Sequence, residues 1–388
     1  MRRFLIAALA LGFVPWVVAG YAATPKQGAK EKVTVDQLEQ SLSTVRGKSD
    51  AEMAQALSAL ELTERLNGAR LAHMQANLPG EKAQQALLVL ADQSAFLLPP
   101  DDEIVADPTP DAAATRQMLV KIVAYVNTTV RQLPNLMAVR ETTGFEDRPS
   151  EDRVDATGTL SLSYQPIHFV TQSVLAVTYR DRKEVVDESA TKALKHGTPV
   201  SGLATSGEFG PILTTVLADA IKGTITWARW EQGEAGRIAV FHYAVPDQKS
   251  NYNVKFCCIA NGFRGDGQPD LQVFDERAAY HGEIAFNPTD GSILRLTLEA
   301  EMPPAGLVPD AGIAIEYSQV EIGGKNYICP AKSVSILQAH TAMPQGMQSR
   351  TNYKGAAKTF LNNVEFKDYR RFGSETRILA GAEGVPSN

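Results

Sequence analysis

The stretch Tyr280–Glu301, which reads YHGEIAFNPTDGSILRLTLEAE, predicts a β-hairpin. Its two extended runs flank the turn sequence NPTDG, in which Pro288 suits the first central turn position and Gly291 suits a left-handed one. The second run alternates between apolar and polar residues, so its apolar side chains share one face of the strand. These apolar residues are Leu294, Leu296, Leu298 and Ala300. They form either an ordinary packed core or a surface that holds an apolar ligand, and the pattern leaves both alternatives open.

The same alternation extends over residues 136–372 and predicts about eight to ten strands. The connections are short and turn-like, as in Gly323-Gly324, so we expect consecutive antiparallel hairpins without helical crossovers. Upstream, residues 23–98 have helical periodicity and predict a unit of three or four short helices. Residues 99–110 are acidic and proline-rich, and we interpret them as a linker between the two parts.

Two helices are expected to cover the antiparallel part, residues 111–380. One carries an apolar stripe over Met118–Val130, and the other is inserted among the strands at residues 206–222. Thr205 and Glu208 have the spacing of a capping box at the start of the inserted helix. Because the strands alternate, one sheet face requires an apolar cover. The sequence therefore predicts an α+β fold, with an N-terminal helical unit and a large antiparallel meander, or half-barrel, covered by helices.

The first residues of the chain predict export. A basic MRR is followed by an apolar run that ends in small residues, which is typical of a signal peptide at residues 1–22. An uncleaved membrane anchor is the alternative, because the apolar run is about long enough to span a bilayer. After cleavage we expect a periplasmic or secreted protein without stable membrane insertion and with a disordered tail at residues 381–388. The net charge of −6 and the lack of a basic cluster argue against nucleic-acid partners and anionic membrane surfaces.

The chain contains three cysteines, Cys257, Cys258 and Cys329. In an oxidising compartment, one disulfide and one thiol is the simplest arrangement. A bond between the two neighbouring cysteines would close a strained ring, which favours a Cys258–Cys329 disulfide. Topology argues the other way, because in a meander Cys258 would end one strand while Cys329 lies near the opposite rim. Both arrangements stay open.

No constellation in the sequence predicts catalysis, a metal centre or a cofactor. His281 and Glu283 share a strand face and could bind a metal together with His242, but a solvated strand face explains the same pattern. Trp227 and Trp230 are three residues apart on one strand, so we expect them on opposite faces. We therefore predict a non-enzymatic protein.

Three C-terminal stretches resemble the half-barrel of the periplasmic lipoprotein-carrier (lipoprotein-sorting) superfamily, which also includes sensors of the envelope stress pathway. They are GEIAFNPTDGSILRLTLEAE, IAIEYSQVEIGGKNYICPAKSVS and NNVEFKDYRRF. The resemblance covers residues 111–379, and the helical unit has no counterpart in the carriers. The stretches LTERLNGARLAHMQANLPGEKAQQALLVLADQSAFLLPP and TSGEFGPILTTVLADA are similar to a group of exported bacterial proteins without an assigned activity.

The carrier resemblance implies an exported protein that binds a lipid, an acyl chain or a lipidated peptide on the concave sheet face. Six apolar residues are expected to line this face: Leu213, Leu217, Ile284, Phe286, Leu296 and Leu298. The alternative is a protein–protein interaction module or an envelope-stress sensor. In that case the helical unit docks an envelope protein and the sheet is purely structural.

Overall fold

A computed structural model describes twelve segments of the chain. They are residues 30–44, 47–128, 133–149, 153–154, 160–161, 164–181, 183–186, 203, 207–233, 236–263, 269–340 and 357–372. The predicted signal peptide (1–22) and tail (381–388) lie outside these residues.

The N-terminal unit contains the expected short helices. They are α1 (Val35–Thr44), α2 (Asp50–Ser58), α3 (Gly68–Gln75) and α4 (Glu81–Gln93). A capping box starts α2, because Ser49 accepts a hydrogen bond from the Glu52 backbone amide while the Glu52 carboxylate accepts one from the Ser49 amide. Two short parallel strands, β1 (Glu31–Val33) and β2 (Leu60–Leu62), were not predicted.

Four strands pair outside the main sheet, two of them very short. They are β5 (Arg153–Val154) with β6 (Leu160–Ser161), and β11 (Asn253–Phe263) with β12 (Pro269–Arg277). The strands of the main sheet are β3 (Ile104–Val105), β4 (Leu136–Arg148), β7 (Gln165–Arg180), β8 (Lys183–Val186), β9 (Thr224–Gly233), β10 (Gly236–Val245), β13 (Ala279–Phe286), β14 (Ile293–Glu301), β15 (Asp310–Ile322), β16 (Lys325–Ala339) and β17 (Lys358–Arg371).

The main sheet has 11 strands in the order β3-β9-β10-β13-β14-β15-β16-β17-β4-β7-β8. Neighbouring strands are antiparallel, and β9 to β17 follow one another except for the excursion through β11 and β12. The last strand, β17, pairs with the first long strand, β4. The sheet is open, with β3 and β8 at its two edges. The predicted α+β class with a large antiparallel sheet is confirmed.

Two helices, α5 (Ala112–Thr128) and α6 (Pro211–Ala220), cover one face of this sheet, which we call the α5/α6 face. The inserted helix is shorter than the predicted 206–222. It begins at Pro211, whose fixed φ and missing N–H suit the first helical position. The main core lies between helices and sheet and includes Met118, Ile122, Val126, Leu213, Val216, Leu217, Phe241, Tyr243, Tyr280, Ile284, Phe286, Leu296, Leu298, Ile313 and Ile315.

The helical unit covers part of the opposite face, which we call the N-terminal face. Val89 of α4 packs against Phe145 of β4 and Leu361 of β17. Both faces of the sheet are covered, so some polar residues whose side chains point away from the main core are also buried. Arg295 on β14 is an example, since its side chain is only 11 % exposed.

The segment predicted as a linker packs against the edge of the sheet. Ile104 and Val105 form β3 and pair with β9. Trp230 donates a hydrogen bond from Nε1 to the Pro108 carbonyl oxygen at 3.1 Å, and Arg237 forms an ion pair with Asp107. The division of the chain into domains at residues 99–110 stays a prediction.

The hairpin turn before β14 provides a test of this packing. Gly291 has φ +81°, and a Cβ atom there would lie 2.5 Å from the Lys121 carbonyl carbon of α5. Gly324 has a similar φ of +79° but no neighbour within 4 Å. We expect Gly324→Ala to cost about 1 kcal/mol of unfolding free energy through backbone strain alone. We expect Gly291→Ala to cost about 2 kcal/mol more, because α5 must also move. Equal losses in urea unfolding would show that α5 does not approach the turn this closely.

Candidate functional site

The six residues predicted to line an apolar groove lie together in the main core. Leu213 and Leu217 come from α6, and the other four come from β13 and β14. Their exposed fractions lie between 0 and 7 %, and α5 and α6 pack directly on the strands that carry them. A ligand at this position would have to displace one of the two helices. Apolar-ligand binding here stays a prediction.

The structure corrects the predicted Cys258–Cys329 disulfide. Cys257 is bonded to Cys258 on β11, outside the main sheet. Cys329 lies on β16 in the main sheet, opposite Ser318, and is a buried thiol. Burial raises the pKa of the Cys329 thiol to about 12. The topological argument reached the right outcome from a wrong premise, because Cys258 lies within β11 outside the main sheet and does not end a strand of the meander.

The histidines considered as metal ligands belong to ion pairs and ring contacts. Glu283 accepts hydrogen bonds from both terminal nitrogens of Arg229, at 2.6 and 2.7 Å. His281 lies 3.5 Å from a carboxylate oxygen of Glu301, and its ring centre is 6.1 Å from that of His242. Within the described part of the chain, no three metal-ligating side chains form a group.

The two tryptophans of β9 lie on the same face, contrary to the prediction. Their ring centres are 4.6 Å apart in an edge-to-face arrangement. The register between β9 and β10 shifts here, so that Val240 pairs with Arg229 while Phe241 pairs with Trp227. The extra residue in this bulge reverses the alternation between Trp227 and Trp230.

Buried charges join the helical unit to the N-terminal face. Glu231 on β9 lies 2.9 Å from Arg65 of the helical unit, 3.1 Å from Arg295 and 2.6 Å from Arg229. Burial would raise the pKa of Glu231, but the charges of Arg295 and Arg65 outweigh it and hold that pKa at about 2. The carboxylate therefore stays ionised, and the network is fixed in its charged state.

A second ion pair crosses the same interface. Asp92 of α4 accepts a hydrogen bond from Lys332 and another from Asn363, both at 2.7 Å. Burial raises the pKa of Asp92 although Lys332 acts against it. The adjoining cavity, which is also lined by Arg65, Arg295 and Glu316, has a volume of about 20 Å³. That is room for about one water molecule.

A third charged cluster lies on the α5/α6 face. Arg140 on β4 lies 3.6 Å from Glu184 on β8 and 3.3 Å from Glu208, which precedes α6. The Gly207 backbone amide donates a hydrogen bond to Glu184 at 2.8 Å. Within the described residues, one oxygen of each glutamate is buried without a hydrogen-bond partner. Burial and the nearby Glu208 raise the pKa of Glu184 to about 7.

The sequence did not indicate this cluster. The capping-box spacing had suggested that Glu208 belongs to the first turn of a helix, whereas the helix begins at Pro211 and Glu208 is completely buried. Pro211 directly follows the predicted first turn, and it was the feature of the sequence that indicated where the helix begins.

One edge of the main sheet is exposed and apolar. Strand β7 pairs with β4 along its length, whereas β8 pairs only with residues 177–180 of β7. Of the twelve exposed large apolar side chains among the described residues, five lie at this edge. They are Tyr164, Phe169, Val170, Val174 and Val185.

Four of these side chains form what we call the β7 edge strip: Phe169, Val170, Val174 and Val185. Val177 packs in the core beside Phe209, on the α5/α6 face. Val174 is three residues away on the same regular part of β7, so its side chain points to the opposite, N-terminal face. Phe169 contacts Phe145, and the α4 packing on this face continues onto β7 at Pro166 and Ile167. The helical unit therefore covers the start of β7, and the exposed side chains of the strip follow that covered end.

No protein-family model, curated protein or solved structure matches this chain. The resemblance to the lipoprotein carriers therefore stays a prediction. No helix in the described segments is long and apolar enough to span a bilayer.

Replacing Lys332 should test whether the helical unit depends on buried ion pairs. Lys332→Met leaves the buried Asp92 carboxylate without its counter-charge, so we expect a loss of about 3–5 kcal/mol in unfolding free energy. Adding Asp92→Asn should recover part of that loss. Lys367→Met is the control, because Lys367 is half exposed and should contribute less than about 1 kcal/mol. Similar small losses for both lysines, measured by urea unfolding, would contradict the assignment.

The Glu184 cluster predicts a specific dependence of stability on pH. The folded-state pKa of about 7 exceeds the ordinary 4.5, so the stabilising contribution is complete below about pH 4.5 and is lost as the pH rises through about 7. Glu184→Gln is permanently neutral and should remove this fall in unfolding free energy. The exposed Glu321→Gln should retain it. Parallel pH profiles for the wild type and Glu184→Gln would refute the prediction.

Proposed function

We propose that this protein is a non-enzymatic binding protein that captures an extended polypeptide segment by β-strand addition along β7. The observation that carries the proposal is the combination of a strand edge over residues 165–176, with which no described residue pairs on the side away from β4, and the exposed β7 edge strip. It belongs to the class of protein–protein interaction modules that the sequence left as an alternative.

The backbone supplies the affinity in this mode of binding. Among the described residues, none pairs with residues 165–176 on the side away from β4, so a row of amide and carbonyl groups faces outward there. An added strand would satisfy those groups, and main-chain hydrogen bonds are the common source of affinity in strand addition. The β7 edge strip would then contact alternate side chains of the added strand.

The side chains of this edge do not oppose pairing. Residues 165–176 read QPIHFVTQSVLA and contain no Asp, Glu, Lys or Arg, although such residues make up 21 % of the chain. Charged side chains are the usual protection of an edge strand, and they are absent here. Pro166 and the bulge at Val170 interrupt regular pairing at one end, so Thr171–Ala176 is the regular part of the edge.

The opposite edge of the sheet differs from β7. It ends in β3, which has only two residues and lies between the acidic turn Asp101–Glu103 and the Asp107–Arg237 ion pair, and short length and charge both discourage pairing with another chain. The part of β9 that β3 leaves unpaired within the described residues, 224–229, is shorter than residues 165–176 and carries Arg229. The β7 edge is therefore the longer and the uncharged one of the two.

The partner that fits is an extended, uncharged segment rich in β-branched residues. In the exported setting that the sequence predicts, such a segment would belong to an envelope protein. The rest of the molecule acts as a scaffold, because α4 packs on Phe145 of β4 and Ile167 of β7 on one face, and Phe209 packs against both strands on the other.

A synthetic peptide can test strand addition directly. The probe is a fluorescent peptide of alternating Thr and Val with terminal lysines, matched in length to residues 165–176. We expect it to bind the wild type and to bind Val174→Lys at least about tenfold more weakly, because the new charge lies against the added strand. Val120→Lys on α5 is the matched control, since Val120 is 63 % exposed and Val174 is 62 % exposed.

A second probe with proline at alternate positions lacks half of the amide donors and should not bind. Equal affinity of the first probe for the wild type and Val174→Lys would overturn the proposal. Strong protection of the residue 165–176 amides from hydrogen exchange in the monomeric protein would also overturn it, because the edge would then be occupied by the chain itself.

A further inference from the structure

We infer that the partner at the β7 edge is the same edge of a second copy of this chain, so that two sheets join into one across a two-fold axis. The inference rests on the proposed function, because it names the occupant of the same edge. It is carried by three features: the neutrality of the edge, its self-complementarity and its difference from the opposite edge, which is shorter and carries Arg229.

Neutrality removes the main obstacle to pairing between identical surfaces. Two copies related by a two-fold axis bring the same short segment of both chains together, and residues close to the axis meet their own symmetry mates, so an edge that carried one sign of charge would repel itself. Residues 165–176 carry no acidic or basic side chain other than His168. The chain as a whole has a net charge of −6, so an uncharged edge is also the part of the sheet where two copies approach with least repulsion.

The edge is also complementary to itself in shape. A two-fold axis perpendicular to the sheet pairs two β7 strands in the antiparallel sense and keeps their N-terminal faces on the same side. If Gln172 meets its symmetry mate, Thr171 of each copy lies opposite Ser173 of the other within the regular part of the edge. Thr–Ser pairs of this kind stabilise antiparallel strands, and Val174 of each copy then lies near the bulge residue Val170 of the other. The two β7 edge strips then form one continuous apolar surface.

The shared surface limits the assembly to two copies. On the other edge β3 pairs only with Trp230 and Glu231, and the part of β9 that it leaves unpaired within the described residues, 224–229, is shorter than residues 165–176 and carries Arg229, so it is not an edge of the same kind. A contact that uses the same surface on both copies is closed, so it produces a dimer and not a fibre.

The oligomeric state of the purified protein tests the inference. We expect light scattering after size exclusion to show a concentration-dependent dimer for the wild type and for Val120→Lys. We expect Val174→Lys to weaken dimerisation at least about tenfold. A wild type that is monomeric at every concentration would overturn the inference. A dimer that is unaffected by Val174→Lys would also overturn it. So would equal dissociation of the dimer by Val174→Lys and Val120→Lys.

A cross-link locates the two-fold axis. Gln172→Cys should give a covalent dimer under mild oxidation, whereas Val120→Cys at another exposed position should not. Equal cross-linking at the two positions would indicate random collision and count against the inference.

The outcome for the Thr/Val peptide separates this inference from the proposed function. If the wild type is monomeric but still binds the peptide through Val174, the edge captures a different polypeptide and only the second copy is excluded. If neither the dimer nor peptide binding depends on Val174, both proposals fail.

Discussion

The burial of both faces of one open sheet is the constraint on which the rest of this structure depends. On one face α5 and α6 supply an apolar cover, and on the other the helical unit is attached through buried charges around Glu231. Arg65 belongs to the helical unit, while the other members of that network belong to the sheet. Separating the two parts would leave buried charges with fewer partners, which is costly. The helical unit and the sheet therefore depend on each other for stability.

The same constraint explains why the α5/α6 face is a core and not a groove. Large aromatic side chains such as Phe241, Tyr243 and Phe286 stand on the strands, and the apolar stripes of two helices fill the space above them. Helices that occupy this face also prevent the strands at the two edges from meeting. An open sheet with two edges is the result, and the properties of those edges then determine what the molecule can bind.

Alternation predicted most of the main strands because each has one face in the main core, as in β14 with Leu296 and Leu298. It failed where a bulge inserts one residue, and the shift between Val240 and Phe241 therefore placed Trp227 on the unexpected face. It also could not show that the helical unit covers Arg295, because contacts between distant segments leave no local periodicity. The exposed edge was equally invisible, since which strand ends a sheet depends on the order of all the strands. The apolar residues of β7 were visible, but their exposure was not.

The location of polar and apolar groups in this molecule favours a binding role for β7. Charges are buried in three clusters where they contribute specific contacts, while residues 165–176 of β7 carry no Asp, Glu, Lys or Arg. An edge of this composition promotes aggregation unless another strand occupies it, because over Thr171–Ala176 no charge and no proline opposes pairing. Pairing with a second copy removes that hazard and satisfies the backbone of both strands at once. An edge that is neutral, apolar and fixed by a rigid sheet is therefore best explained as a surface that is covered in the functional state.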